Sequence, residues 1–200
     1  EEYPVFPTYS TTEFMKIEAN VLRDMIEKTI YSVSNDETRY HLNGVYFEKG
    51  VDQTSPVYRM VATDGHRLSL VDRSSTVLSS DSAAEGVIIP RKGLTEIRKL
   101  LESVDGTFEM AIEGAQLIVR HDSTVLMIRL IEGKYPNYKQ LIPHNLSEHV
   151  EVDREALMSS LRRVSLLSNQ KSKGVTLSLS NGKMEISSNN PELGDAKEEI

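Results

Sequence analysis

Residues 62–68, Ala-Thr-Asp-Gly-His-Arg-Leu, place a hydroxyl, a carboxylate, an imidazole and a guanidinium on one short turn. Such groups could hold a metal, move a proton or grip a ligand. The spacing narrows the choice. Asp64 and His66 would need a third metal ligand, and the five histidines (His41, His66, His121, His144 and His149) form neither an HxH nor an HxxxH pair. A hydrolase built on His66 and Asp64 therefore stands as an alternative without a third group. Asp64 and Asp72 are not marked as an acid/base pair. Residues 86–93 lack the spacing of a phosphate loop, and no GxSxG elbow occurs. With no cysteine in the chain, a thiol nucleophile, a thiolate metal site and disulfides are excluded. No metal and no cofactor is expected. Asp64-Gly65 reads as a turn between strand-like runs at 57–62 and 68–71, the glycine supplying the positive φ that a hairpin tip needs. Folding does not demand Thr63, His66 and Arg67 beside it, so the tip is either a solvated corner or part of a binding surface.

A second constellation, Gly133-Lys134-Tyr135-Pro136-Asn137-Tyr138 followed by Leu141-Ile142-Pro143, combines two prolines and two tyrosines. It reads as a stiff interdomain connection. Tyr135 is expected to pack inward, while Pro136 and Leu141 are placed at a surface groove.

The elements that must position these residues repeat. Residues 13–18 alternate as a strand, Asn20 reads as a helix cap, and Leu22, Met25, Ile26, Thr29, Ile30 and Val33 make one helical face. Strands follow at 41–48, 57–63 and 66–72. The pattern restarts with a strand at 86–89, a helix opened by Pro90 with Leu94, Ile97 and Leu101 on its apolar face, and strands at 107–112, 115–120 and 124–130. Strand, helix and three strands thus occur twice, about 70 residues apart, which predicts a duplicated α+β domain with both helices on one face of a sheet. A third start comes at 149–152, with Asp153 as cap, a helix marked by Leu157, Leu161 and Val164, and a hairpin over Asn181-Gly182. This last unit is expected to lack at least one strand. The boundaries are a linker over 1–12, a complete domain over 13–143 and a partial one over 144–200.

The 200 residues are 38% apolar and 26% charged, with a net charge of −7. No apolar run reaches membrane-spanning length and no signal-peptide layout opens the chain, so no membrane association and a cytoplasmic location are expected. Acidity argues against general nucleic-acid binding, yet the basic residues gather on helices. Arg91 stacks over Arg98 and Lys92 over Lys99, seven apart. Arg162 and Arg163 lie off the third helix's apolar face, and the first helix offers Arg23 and Lys28 among Asp24 and Glu27. The acidic residues read as clustering elsewhere, at Asp81 and Glu85, at Glu148 and Glu151, and over 192–199. Such helices would meet phosphates through several weak contacts.

The ordered set of motifs resembles a known family, the bacterial sliding clamp, or beta subunit of the replicative DNA polymerase. The residues are 62–68, Leu42-Asn43-Gly44, Ile89-Pro90-Arg91-Lys92-Gly93, residues 132–138 with Pro143, Leu167-Ser168-Asn169 and Ser188-Asn189-Asn190-Pro191. The resemblance covers nearly the whole chain, as that family's second domain and the first half of its third. It implies the clamp fold and a non-catalytic processivity factor that encircles duplex DNA without reading sequence, its helices lining the hole. It implies DNA-facing Arg23, Lys28, Arg91, Lys92, Arg98, Lys99, Arg162 and Arg163. It also implies a hydrophobic cleft that takes short linear motifs of the polymerase, the clamp loader and repair proteins, with Leu42, Thr63, Gly65, His66, Arg67, Leu68, Pro136, Gln140 and Leu141 in its wall. Gln140 stands where some members carry Arg. Family rings close through first and third domains as homodimers; this fragment is expected not to close one. The alternative is a peptide-docking module that works without encircling DNA.

Overall fold

The computed structural model describes residues 8–10, 13–52, 55–74, 86–143, 146–169 and 173–200. The chain divides into two units, Glu1–Ile142 and Pro143–Ile200.

In the first unit, strand β1 (Met15–Glu18) runs straight into helix α1 (Ala19–Glu27). The helix therefore begins before Asn20, whose side chain accepts only from the adjacent Val21 N–H at 2.7 Å; Glu18 holds the cap position that Asn20 was expected to take. Helix α1 also stops earlier than its apolar spacing predicts. Thr29 is fully buried and turns its hydroxyl back to donate to Met25 O at 2.8 Å, and Ile30–Ser32 tighten into a 3₁₀ turn. A second 3₁₀ segment, Glu37–Leu42, takes the first residues of the strand expected from 41. Strands β2 (Gly44–Asp52), β3 (Ser55–Thr63) and β4 (Leu68–Ser74) follow. The second repeat consists of β5 (Val87–Pro90), α2 (Arg91–Glu102), β6 (Thr107–Glu113), β7 (Gln116–His121) and β8 (Thr124–Arg129).

The repeats do not build one sheet each from their own strands. The sheets run β4-β3-β2-β5 and β1-β6-β7-β8, antiparallel throughout. Each repeat's leading strand closes the other repeat's sheet, Ile17 opposite Phe108 and Ile89 opposite Val45. The helices pack side by side into one core shared with both sheets, rather than on one face of a single sheet. Leu22, Met25 and Ile26 of α1 meet Leu94, Ile97 and Leu101 of α2 there, above Phe47 and Met60 from one sheet and Phe108, Met110 and Leu117 from the other. Of the expected linker over 1–12, residues 1–7, 11 and 12 lie outside the described residues; Ser10 N–H donates to the Glu113 carboxylate at 3.0 Å.

The second unit contains α3 (Arg154–Ser165), capped by Asp153, whose carboxylate accepts from Ala156 N–H at 2.7 Å. It adds one sheet in the order β11-β10-β9, from β9 (Thr176–Ser180), β10 (Lys183–Asn190) and β11 (Gly194–Glu199). The three strands after the helix are thus all present. The acidic run at the end is itself a strand, β11. The strand expected at 149–152 does not form; in the first unit the corresponding segment, β1, is held by β6 of the other repeat. No described helix is long and apolar enough to cross a membrane.

The strand exchange brings two backbones close at Gly44, opposite Pro90. A Cβ there would lie 2.4 Å from Ile89 O, a backbone atom that cannot swing away. Gly44→Ala is expected to cost about 1–3 kcal/mol, read as a lowered urea midpoint with an unchanged slope.

Candidate functional site

The turn at 64–67 connects Thr63 and Leu68, which pair across the β3–β4 hairpin. Its polar residues are largely spent on one another. Asp64 Oδ1 accepts from His66 N–H at 2.9 Å and from Arg67 N–H at 3.0 Å, and its other oxygen meets Arg67 Nε at 3.2 Å. Thr63 donates its hydroxyl to Arg67 O at 2.7 Å and accepts from Gly65 N–H at 3.1 Å. Gly65 sits at φ +90°, and a Cβ there would lie 2.8 Å from the Arg39 guanidinium. Arg67 also donates to Tyr31 O at 2.7 Å and lies 5.8 Å from that ring's centre. The backbone N–H of His66, with the other donors, holds the Asp64 carboxyl below the usual carboxylate range. Asp64 is therefore a structural staple. Exposed His66 has no ring hydrogen bond among the described residues, and no group of three potential metal ligands forms among them either.

Beneath the tip lies an apolar cluster separate from the main core. Leu42, Val61, Ile88, Tyr135 and Tyr138 are buried in it, with Leu68, Leu70, Tyr46, Ile131 and Ile142 packed against them. Tyr135 stacks on Tyr46 with ring centres 4.9 Å apart, and burial pushes its hydroxyl up to about 12. Pro136 is half-buried, and its carbonyl accepts from Tyr138 N–H at 2.7 Å. Gln140 and Leu141 stand at the surface, Leu141 61% exposed. The structure thus joins Leu42 and Leu68 in one hydrophobic floor, sets Thr63, Gly65 and Arg67 on a braced rim, and leaves His66, Gln140 and Leu141 open to solvent.

A polar latch, which the residue pattern alone did not reveal, fixes the connecting segment. The Tyr138 hydroxyl donates to the Glu48 carboxylate and accepts from Arg59 Nη1 at 3.2 Å. Arg59 is clamped by Asp72 through two bonds of 2.7 and 2.6 Å. The Asp72 bond raises the Arg59 pKa, while burial, with Glu48 beside it, pushes Tyr138 up to about 12. Tyr31 and Arg39 also went unread as neighbours of the tip. The alternation of Glu48, Arg59 and Asp72 with apolar strand residues was the available signal for the latch; no local signal points to Tyr31.

The helix faces are less uniformly basic than the spacing predicts. Lys28 pairs with Asp24 at 2.9 Å, Lys99 with Glu96 at 2.9 Å and Arg98 with Glu102 at 3.9 Å. Arg23 donates to Leu101 O and Arg91 to Asn35. Arg163 forms a two-pronged pair with Glu198 at 2.6 and 2.7 Å, which holds that carboxyl down at about 2. The acidic residues therefore do not all gather elsewhere: Asp24, Glu27, Glu96, Glu102 and Glu155 sit on the helices themselves, and β11 brings Glu198 to α3. Asp81 and Glu85 lie outside the described residues. Lys92 and Arg162 have no ion-pair partner among the described residues.

Asp64 has a testable signature. Its depressed folded-state pKa means that its stabilising effect is complete above the unfolded value of about 3.9 and is lost as pH falls through the folded value. A carbon-detected titration should place its midpoint below that of an unstructured aspartate, and Asp64→Asn should remove that part of the acid sensitivity. A midpoint at or above the unstructured value would contradict the staple.

Comparison with known proteins follows the two units. Residues 16–137 match the family model of the DNA polymerase III beta subunit, central domain, and residues 139–200 match that of its C-terminal domain. The beta sliding clamp of Haemophilus influenzae is 36% identical over 198 residues, covering 99% of this chain and 52% of that protein. The beta sliding clamp of Escherichia coli K12 is 32% identical over 189 residues, covering 94% and 50%. The crystal structure of the DNA polymerase III subunit beta from Pseudomonas aeruginosa superimposes with a TM-score of 0.89 at 32% identity, covering all of this chain and 53% of the other. A sliding clamp from Bartonella birtlesii bound to griselimycin gives 0.87 at 32% identity, again over all of this chain and 53% of the other. The chain spans about half the length of the relatives it matches. Its two units, with matches to successive domain models over nearly every residue, make it a member of the DNA polymerase III beta subunit family.

Proposed function

We propose that this chain is part of a non-catalytic, ring-forming processivity factor of bacterial DNA replication, working in the cytoplasm. In this reading residues 13–143 are the second of three clamp domains and residues 144–200 are the first half of the third. The observation that carries the partner-binding part is the braced tip at 63–68 standing over the apolar floor of Leu42 and Leu68. A rim stiffened by Asp64 loses little freedom on binding, and a dry floor rewards the aliphatic or aromatic side chains of a short linear motif. Leu141, Pro136, Gln140 and His66 would complete the wall. Polymerase, clamp loader and repair proteins would dock there. The griselimycin-bound relative supports a ligand site on this fold.

The DNA-facing role falls on Arg23, Lys28, Arg91, Lys92, Arg98, Lys99, Arg162 and Arg163, unequally. Arg23, Arg91, Lys92 and Arg162 pair with no carboxylate among the described residues, and Arg23 and Arg91 are held by Leu101 O and Asn35, so Lys92 and Arg162 would supply most of the sequence-independent phosphate contact. Few and weak contacts suit a ring that slides.

Two measurements test these readings separately. Fluorescence anisotropy with a labelled hydrophobic polymerase-tail peptide should show binding weakened about tenfold or more by Leu68→Ala and by Leu141→Asp; unchanged affinity in both removes the cleft. For DNA, the slope of log affinity against log salt should shrink by about 1.8 in the double variant Lys92→Ala, Arg162→Ala, at about 0.9 per lost phosphate contact, with peptide binding unaffected. An unchanged slope leaves the alternative, a peptide-docking module that does not encircle DNA.

A further inference from the structure

The latch stands on the same sheet face as the apolar floor. Residues two apart along a strand share a face. The pairs Thr63–Leu68, Val61–Leu70 and Arg59–Asp72 therefore follow one another along β3 and β4, and β2 adds Tyr46 beside Val61 and Glu48 beside Arg59. From the tip inward the face reads rim, floor and charged row. The segment after β8 crosses it. Tyr135 stacks on Tyr46 over the floor, and Tyr138, 3% exposed, reaches the charged row.

The backbone of this segment is bonded to no strand among the described residues. Between Gly133 and Leu141 its hydrogen bonds are local: Tyr138 N–H donates to Pro136 O at 2.7 Å and Gln140 N–H to Asn137 O at 3.3 Å. Apolar contact is non-directional and lets a ring slide. The Tyr138 hydroxyl is different. It donates to a carboxylate on β2 and accepts from a guanidinium on β3, and that guanidinium is fixed in turn by the two bonds from Arg59 to Asp72 of β4. A fully satisfied polar network specifies one arrangement where apolar packing allows several. Tyr138 also opens the 3₁₀ turn Tyr138–Leu141. Its position therefore sets those of Gln140 and Leu141, two exposed residues of the wall.

We propose that Tyr138 is a positioning residue for the peptide site: its hydroxyl, held between Glu48 and Arg59, fixes the turn that presents Gln140 and Leu141 beside the floor. It acts through those two side chains rather than by touching the peptide. The latch is closed before a partner arrives. A wall already in place loses little freedom on binding, so part of the affinity resides in hydrogen bonds that lie outside the contact. This inference rests on the peptide-cleft reading and names what prepares that cleft.

Two measurements on the 200-residue chain, without denaturant, test it. Anisotropy with the labelled hydrophobic polymerase-tail peptide should show Tyr138→Phe, which keeps the ring and removes only the hydroxyl, binding about tenfold more weakly. Glu48→Ala should do the same, and Glu48→Gln, which retains an acceptor oxygen, should recover most of that loss. The double variant Tyr138→Phe, Glu48→Ala should be no weaker than either single one, since both remove the same bond. Ile97→Val, in the main core, lowers the urea midpoint and should leave affinity unaltered, which separates positioning from general stability. In the free protein, amide exchange at Gln140 and Leu141 should quicken in Tyr138→Phe while that at Val61 and Leu70 stays the same. Normal affinity in Tyr138→Phe, additive losses in the double variant, an equal loss in Ile97→Val, or unchanged exchange at Gln140 and Leu141 would each overturn the proposal. No binding by the unaltered chain removes the cleft and this inference with it, a result distinct from normal binding that Tyr138→Phe leaves intact.

Discussion

The first unit depends on one constraint: neither repeat can finish its own sheet. β1 belongs to the first repeat by sequence and to the second by hydrogen bonding, and β5 is its mirror. Without the exchange, β2 and β6 would each present an open edge and a half-covered apolar face. With it, Phe47 and Phe108 are sealed in a single core, and loosening one sheet removes a strand from the other. Folding of the two repeats is therefore coupled.

The peptide-binding reading inherits this rigidity. The tip at 63–68 is the far end of a hairpin whose other strand partners, β2 and β5, are tied into the exchange. Asp64 spends its carboxylate on two backbone N–H groups and Arg67, so the most chemically suggestive residue of the turn is the one least available for chemistry. What remains for recognition is shape, an apolar floor and a few exposed side chains. The same economy holds on the helices, where Lys28, Arg98, Lys99 and Arg163 are each paired with a carboxylate.

Much of this was legible in the sequence because it is local. The turn glycine, the Asn181-Gly182 hairpin, the apolar faces of all three helices and the inward packing of Tyr135 follow from residue type and period. Partner choice is not local. Alternation at 13–18 and 149–152 predicts a strand in both places, but a strand exists only where a second backbone accepts its hydrogen bonds, and β6 does so for one segment alone. The cap at Asn20 failed because β1 leads into α1 with no intervening loop. Glu198 read as part of an acidic run, whereas sheet register carries it to Arg163. The latch of Tyr138, Glu48 and Arg59 joins residues up to 90 positions apart, beyond any window of periodicity.

That latch has a mechanical consequence. Force transmitted along the chain from beyond Ile142 reaches Tyr138 before it reaches any strand. There it is met by a buried aromatic ring and by two charged groups carried on β2 and β3, themselves braced from β4 through Asp72. The anchor thus engages three strands, β2, β3 and β4, rather than β8, the strand nearest in sequence. Leu141, just outside the anchor, can yield and recover while the hydrophobic floor stays intact.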